Sequence, residues 1–139
     1  MCRGFSLIET LVTVSVISAL VGIALPSMAT WASRRIVSLE SKRLQGALER
    51  CYSIAMLRER PITVTFQNSR MLASTSDNQL LFSYSGHHAV ELRFKSTEQD
   101  KLVFYPSHTV TPATIIVRGE SSECSVVISL RGRTRSECL

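Results

Sequence analysis

The sequence has 139 residues, a net charge of +5 and a pI near 9.4. That length leaves room for one small domain plus one extra element, and it excludes a chain of several domains. The positive balance is mild and common among exported and surface proteins, so it singles out no partner by itself. Mean hydropathy is +0.14, with the apolar character concentrated in the first quarter.

The first element is the run from Phe5 to Leu25, 21 residues in which Glu9 is the only charge. At ~1.5 Å per residue, a helix of that length crosses the ~30 Å hydrocarbon core of a bilayer. A cleaved secretory signal is the rival reading, but its apolar stretch is usually ~7–15 residues long behind a longer basic region. Here only Met1, Cys2, Arg3 and Gly4 precede the run. The expectation is a retained, single-pass membrane helix with Trp31 as an interfacial anchor. Arg3 favours an inside N-terminus and a translocated C-terminal domain, whereas Arg34 and Arg35 beyond the run pull the other way. Glu9 is costly inside such a segment, so it either snorkels to the interface or has a partner.

Arg3-Gly4-Phe5-Ser6-Leu7-Ile8-Glu9, followed by the apolar run, resembles the leader of type IV pilins and type II secretion pseudopilins. The resemblance implies that a prepilin peptidase cuts between Gly4 and Phe5 and methylates the new N-terminus of Phe5. Glu9 then becomes the fifth mature residue, implied to pair with the terminal amine of a neighbouring subunit in a filament. Two opposite charges buried together cost far less than either alone. Pro26 matches the family's helix-kinking proline, and Thr10 stands where leucine is usual. The implied partners are other pilins, the peptidase and the inner membrane, with the C-terminal domain in the periplasm.

Past Pro26, the residues Ile36, Leu39, Leu44, Ala47, Leu48, Cys51, Ile54 and Ala55 recur at three- and four-residue spacing among charged neighbours. This predicts an amphipathic helix that ends before Pro61. Gly46 inside it costs about 1 kcal/mol relative to alanine and predicts a close packing contact. From Ile62 the period becomes two. Strands are predicted at Ile62–Phe66, Met71–Ser74, Leu80–Tyr84, Val90–Lys95, Leu102–Tyr105, Thr114–Arg118 and Ser125–Leu130, separated by turn signals. The predicted fold is α+β, a long N-terminal helix kinked near Pro26 and packed on antiparallel sheets. Its parts are a leader (1–4), a membrane and filament-core helix (5–26), an amphipathic helix (27–60) and a β-rich region (61–139).

Cys2 leaves with the leader on this reading, and Cys51, Cys124 and Cys138 remain. Cys51 lies on the apolar helix stripe and reads as a small buried hydrophobe. Cys124–Cys138 is the expected disulfide, with pairings to Cys51 as the alternative. Closing that ~15-residue loop would stabilise by about 3 kcal/mol in the chain-entropy treatment.

The segment between those cysteines holds Arg131, Gly132, Arg133 and Arg135. In an extended strand the three arginines would point to one side; a turn at Gly132 would splay them. Guanidinium forks match phosphate oxygens and stay charged at any relevant pH. The plain alternative is a solvated strand end whose arginines discourage edge pairing. Leader, kinked helix, β-rich domain and terminal hairpin with cysteines together resemble the GspH/FimT branch of pilin-like proteins. FimT-like minor pilins of natural transformation carry a DNA-binding Gly-Arg-x-Arg motif, which Gly132-Arg133-Thr134-Arg135 matches. The resemblance implies sequence-independent binding of duplex DNA, with Arg118 joining the patch if its strand adjoins the last one. The alternative is a GspH-like minor pseudopilin of type II secretion, or a pilus assembly initiator, without DNA affinity.

Other chemistry finds no support in the sequence. His87, His88 and His108 lack Cys or carboxylate companions at metal-ligand spacing. No nucleophile motif or phosphate-binding glycine loop is present. No cofactor, metal or enzymatic activity is expected.

Overall fold

The computed structural model describes residues 6–67, 69–96 and 100–138, with the side chains of 23–30 left out. The processing site expected at Gly4 and Phe5 lies outside the described residues. The chain divides into two compact units, Met1–Ala32 and Ser33–Leu139. Helix α1 (Leu7–Arg58) contributes to both, and Pro26 lies within it.

In the first unit the large apolar side chains among the described residues are exposed, from Leu7 at 80% to Val21 at 48%. The hydroxyls of Thr10, Thr13, Ser15 and Ser18 donate back to carbonyls three or four residues earlier, at 2.7–2.9 Å. Such back-bonding satisfies polar groups inside the helix and lowers their cost in an apolar surrounding. Glu9 sits in the first turn, where its N–H donates to the Ser6 carbonyl at 3.0 Å. Its carboxylate is exposed and has no partner among the described residues. Among those residues, no helix is long and apolar enough to cross a membrane.

In the second unit α1 buries Val37, Leu44, Leu48, Cys51 and Ala55. Leu39, placed on the buried stripe by residue type, is instead 47% exposed, and Ile36 is half-buried. The phase set by Leu44, Leu48, Cys51 and Ala55 brings in Val37, Glu40 and Ser41. Glu40 is buried because partners compensate it: the Tyr84 hydroxyl donates to one oxygen and Arg43 Nη1 to the other at 3.0 Å. Burial, reinforced by the bond to Glu40, pushes the Tyr84 phenol well above its ordinary pKa. Gly46 is exposed, and a Cβ built on it meets nothing within 4 Å, so it marks no packing contact in this chain. The helix ends where Glu59 turns left-handed (φ 51°) ahead of Pro61.

Among the described residues eight strands follow: β1 (Ile62–Gln67), β2 (Arg70–Thr75), β3 (Leu80–Ser85), β4 (Glu91–Phe94), β5 (Lys101–Phe104), β6 (Ala113–Arg118), β7 (Glu123–Ile128) and β8 (Thr134–Cys138). They form two antiparallel sheets, ordered β3-β2-β1-β5 and β4-β6-β7-β8. Alternate residues turn inward, among them Ile62 and Val64, Leu102 and Phe104, Ile115 and Val117, and Val126 and Ile128. Together with the helix stripe they make one core. The α+β fold expected from the sequence is the one observed.

Candidate nucleic-acid interface

The terminal hairpin joins β7 to β8 through Ser129–Arg133. Gly132 N–H donates to the Ser129 carbonyl and Ser129 N–H to the Arg133 carbonyl, each at 2.9 Å. Gly132 is left-handed (φ 76°), which makes this a glycine-bulged hairpin turn. The space beside it also requires glycine: a Cβ there would lie 2.6 Å from Tyr52 Cε2 and 2.7 Å from Cδ2. Tyr52 projects from α1 and is hydrogen-bonded through its hydroxyl to His108 Nδ1 at 3.1 Å. Nearby on α1, Glu49 Oε1 accepts from Thr134 Oγ1 at 2.8 Å and from Gln45 Nε2 at 3.1 Å. The helix therefore holds the turn at two points.

The other end of the hairpin is closed by the disulfide Cys124–Cys138 between directly opposed residues, Cα to Cα 4.1 Å. Cys51 is a free, buried thiol that burial pushes up to about 12. The tail after Arg133, not assigned as a strand from sequence, is β8. It gains its strand character from pairing with β7 rather than from its own residues, Thr-Arg-Ser-Glu-Cys. Thr134 and Ser136 are half-buried, while Arg135 and Glu137 are exposed on the outer face.

Arg131 lies at the turn tip and Arg133 at the first rung after it; both are exposed. Neither guanidinium has a partner among the described residues. Arg135 differs, since its Nε pairs with Glu137 at 3.0 Å. Both groups of that pair are solvated, so it is worth about 0–1 kcal/mol and yields readily to a stronger anion. The hairpin thus presents three guanidinium groups to solvent, a geometry suited to phosphate oxygens.

Arg118 does not join them. Its strand, β6, is separated from β8 by β7, and its Cα partners are Glu91 and Glu123. It lies at the disulfide end of the sheet, roughly 20 Å from the arginine turn by strand spacing and rise. Two acids flank it, which removes it from a phosphate-binding patch. The histidines fall in two places, His108 against Tyr52 and His87 stacked on His88 at 4.2 Å. Among the described residues, no group of three His, Cys, Asp or Glu side chains is placed to hold a metal.

The pattern described as the prokaryotic N-terminal methylation motif matches residues 1–25. The chain resembles solved structures of two kinds. The minor pseudopilin EpsH from the type 2 secretion system of Vibrio cholerae shares 15% identity at a TM-score of 0.61, covering 73% of this chain and 96% of that one. The type IV minor pilin FimU of Pseudomonas aeruginosa shares 16% at 0.63, covering 77% and 92%. This chain has a pilin-like fold. A second FimU crystal form gives 18% identity at 0.59, covering 72% and 91%. No curated protein matches the sequence. The chain thus combines a methylation motif at residues 1–25 with a pilin-like fold.

Two residues of the site escaped the sequence reading. Tyr52 and Glu49 meet the hairpin across roughly 80 positions of chain, and no local pattern signals such a contact. Only Tyr52's place beside the Leu48–Cys51–Ala55 stripe hinted that it faces inward.

Proposed function

We propose that this chain is a minor type IV pilin that binds duplex DNA without sequence preference through its terminal hairpin, for DNA uptake in natural transformation. The observation that carries the reading is the pair Arg131 and Arg133, exposed and without an acid partner among the described residues, on a turn closed by backbone hydrogen bonds. Arg135 completes the set, and Gly132-Arg133-Thr134-Arg135 is the segment that matches the FimT-like motif. A turn held by Tyr52 and a disulfide lowers the entropy lost when the arginines engage phosphate.

On this reading the chain is cut after Gly4, methylated at Phe5 and anchored in the inner membrane by residues 5–26. The domain lies in the periplasm until assembly, when Glu9 meets the amine of a neighbouring subunit. The 21-residue apolar run and the unpartnered carboxylate of Glu9 support this. Binding per subunit would be weak, and several subunits in one filament would raise it by avidity.

The test is anisotropy of a short labelled duplex with the full chain in detergent micelles, across a salt series. Three or four neutralised phosphates give a log–log slope of about −3 to −4. Arg133→Ala/Arg135→Ala should abolish most of the binding. No binding at low salt, or equal binding by the double variant, overturns the reading. The likeness to EpsH, as close in fold as that to FimU, favours the second reading of a minor pseudopilin or assembly initiator in that event.

A further inference from the structure

We propose that the DNA-binding surface extends from the hairpin across the outer face of the β4-β6-β7-β8 sheet to Lys95, which acts as a second phosphate anchor; this rests on the DNA-binding reading above. The register places Lys95 there. Its N–H donates to the Thr114 carbonyl at 2.8 Å, continuing the β4–β6 ladder by one residue. Thr114 opposes Val127, and Val127 opposes Arg135. The row Lys95, Thr114, Val127, Arg135 therefore crosses four strands at the hairpin end of the sheet, with Arg133 one rung beyond. A shallow groove of ≈ 390 Å³ covers its first three positions, with Lys95, Thr114 and Val127 in its lining. Lys95 is exposed, and its ammonium group has no partner among the described residues.

The neighbouring rows show why this one is distinct. One rung away, Arg93, Ile116, Ser125 and Glu137 mix the two signs. At the far end Arg118 sits between Glu91 and Glu123. Of these three rows of described residues, the hairpin-end one has a cation at each end and an uncharged floor. Three strand spacings separate Lys95 from Arg135, about 14 Å between backbones. One DNA strand winds around the duplex as it rises ~3.4 Å per phosphate along the axis, so successive phosphates lie farther apart than that rise and about two phosphate steps cover the span. A single sugar-phosphate backbone laid across the row thus meets both ends, while the acids at the disulfide end repel it and fix its position.

The test uses the full chain in detergent micelles and the same labelled duplex. Losing one phosphate contact by Lys95→Gln is expected to weaken binding about 5–10-fold at ~0.1 M salt and to flatten the log–log slope by ~0.9. Lys95→Arg should bind like the parent. Arg118→Gln removes an equal charge and should leave both quantities unchanged. Parent-like binding by Lys95→Gln, alongside weakened binding by Arg133→Gln, sinks this proposal and spares the DNA reading. Equal losses from Lys95→Gln and Arg118→Gln also sink it, because net charge rather than position would then govern affinity. Absence of binding by the parent at low salt removes both. Thermal melts of Lys95→Gln verify that an exposed substitution has left the fold intact.

Discussion

Gly132→Ala separates the two demands that the structure makes on the hairpin turn. The first is conformational: φ is 76°, and a side chain in the left-handed region costs roughly 1–2 kcal/mol. The second is steric: the new Cβ would sit 2.6 Å from the Tyr52 ring, an overlap of the kind that costs ~1–3 kcal/mol when a packed site is overfilled. The two together come to about 3 kcal/mol, a large share of the ~5–15 kcal/mol stability of a domain. At ~4–8 °C per kcal/mol the melting temperature should fall by roughly 10–25 °C. The assay is thermal unfolding of the parent, Gly132→Ala, Tyr52→Ala and the double variant, analysed as a cycle. In the Tyr52→Ala background the overlap is gone, so Gly132→Ala should cost only the ~1–2 kcal/mol of backbone strain. Equal costs in both backgrounds would refute the contact with Tyr52. A negligible cost in the parent would refute the left-handed turn as well.

Glu137→Gln frees Arg135 from its solvated ion pair. Duplex binding in low salt should tighten a few-fold, and unchanged or weaker binding would contradict the pairing. Gly46→Ala adds a methyl into open space in a helix and should stabilise by about 0.5–1 kcal/mol in melts of the full chain. Destabilisation would mean that something packs there. Burial holds the Cys51 thiol at about 12 against an ordinary 9.0, so the folded state keeps that proton longer than the unfolded chain. The resulting stability is complete below pH ~9 and is lost as pH rises from there towards 12. Melts of Cys51→Ala should therefore show a flatter alkaline limb, and superimposable limbs would count against the burial.

Much of the fold was legible because its signals are local. The switch from a spacing of three and four to a spacing of two falls near Pro61, where the helix ends and β1 begins at Ile62. Failures arose where tertiary context outweighed residue type. Leu39 and Glu40 changed places because the helix's phase is set by Leu44, Leu48, Cys51 and Ala55, and one buried carboxylate is acceptable once Tyr84 and Arg43 satisfy it. Strand β8 was invisible because Thr-Arg-Ser-Glu-Cys has little strand propensity; the ladder to β7 and the disulfide impose it. Arg118 was misplaced because sequence alone does not give strand order.

The structure also divides the Gly-Arg-x-Arg segment into parts with different causes. Gly132 is explained by folding alone, since its φ and the Tyr52 ring would demand it in a chain that never met DNA. A glycine at this turn therefore carries no weight for nucleic-acid binding, in this chain or in a relative with the same hairpin. Thr134 is likewise accounted for by its bond to Glu49. Arg133 is different. Its backbone closes the turn, but its side chain is exposed and has no hydrogen-bond or ion-pair partner among the described residues. Arg135 contributes only a solvated pair to the domain. The functional weight of the segment rests on the two side chains that the fold does not need, and substitutions at Arg133 and Arg135 are the ones expected to change binding while leaving the melting temperature in place.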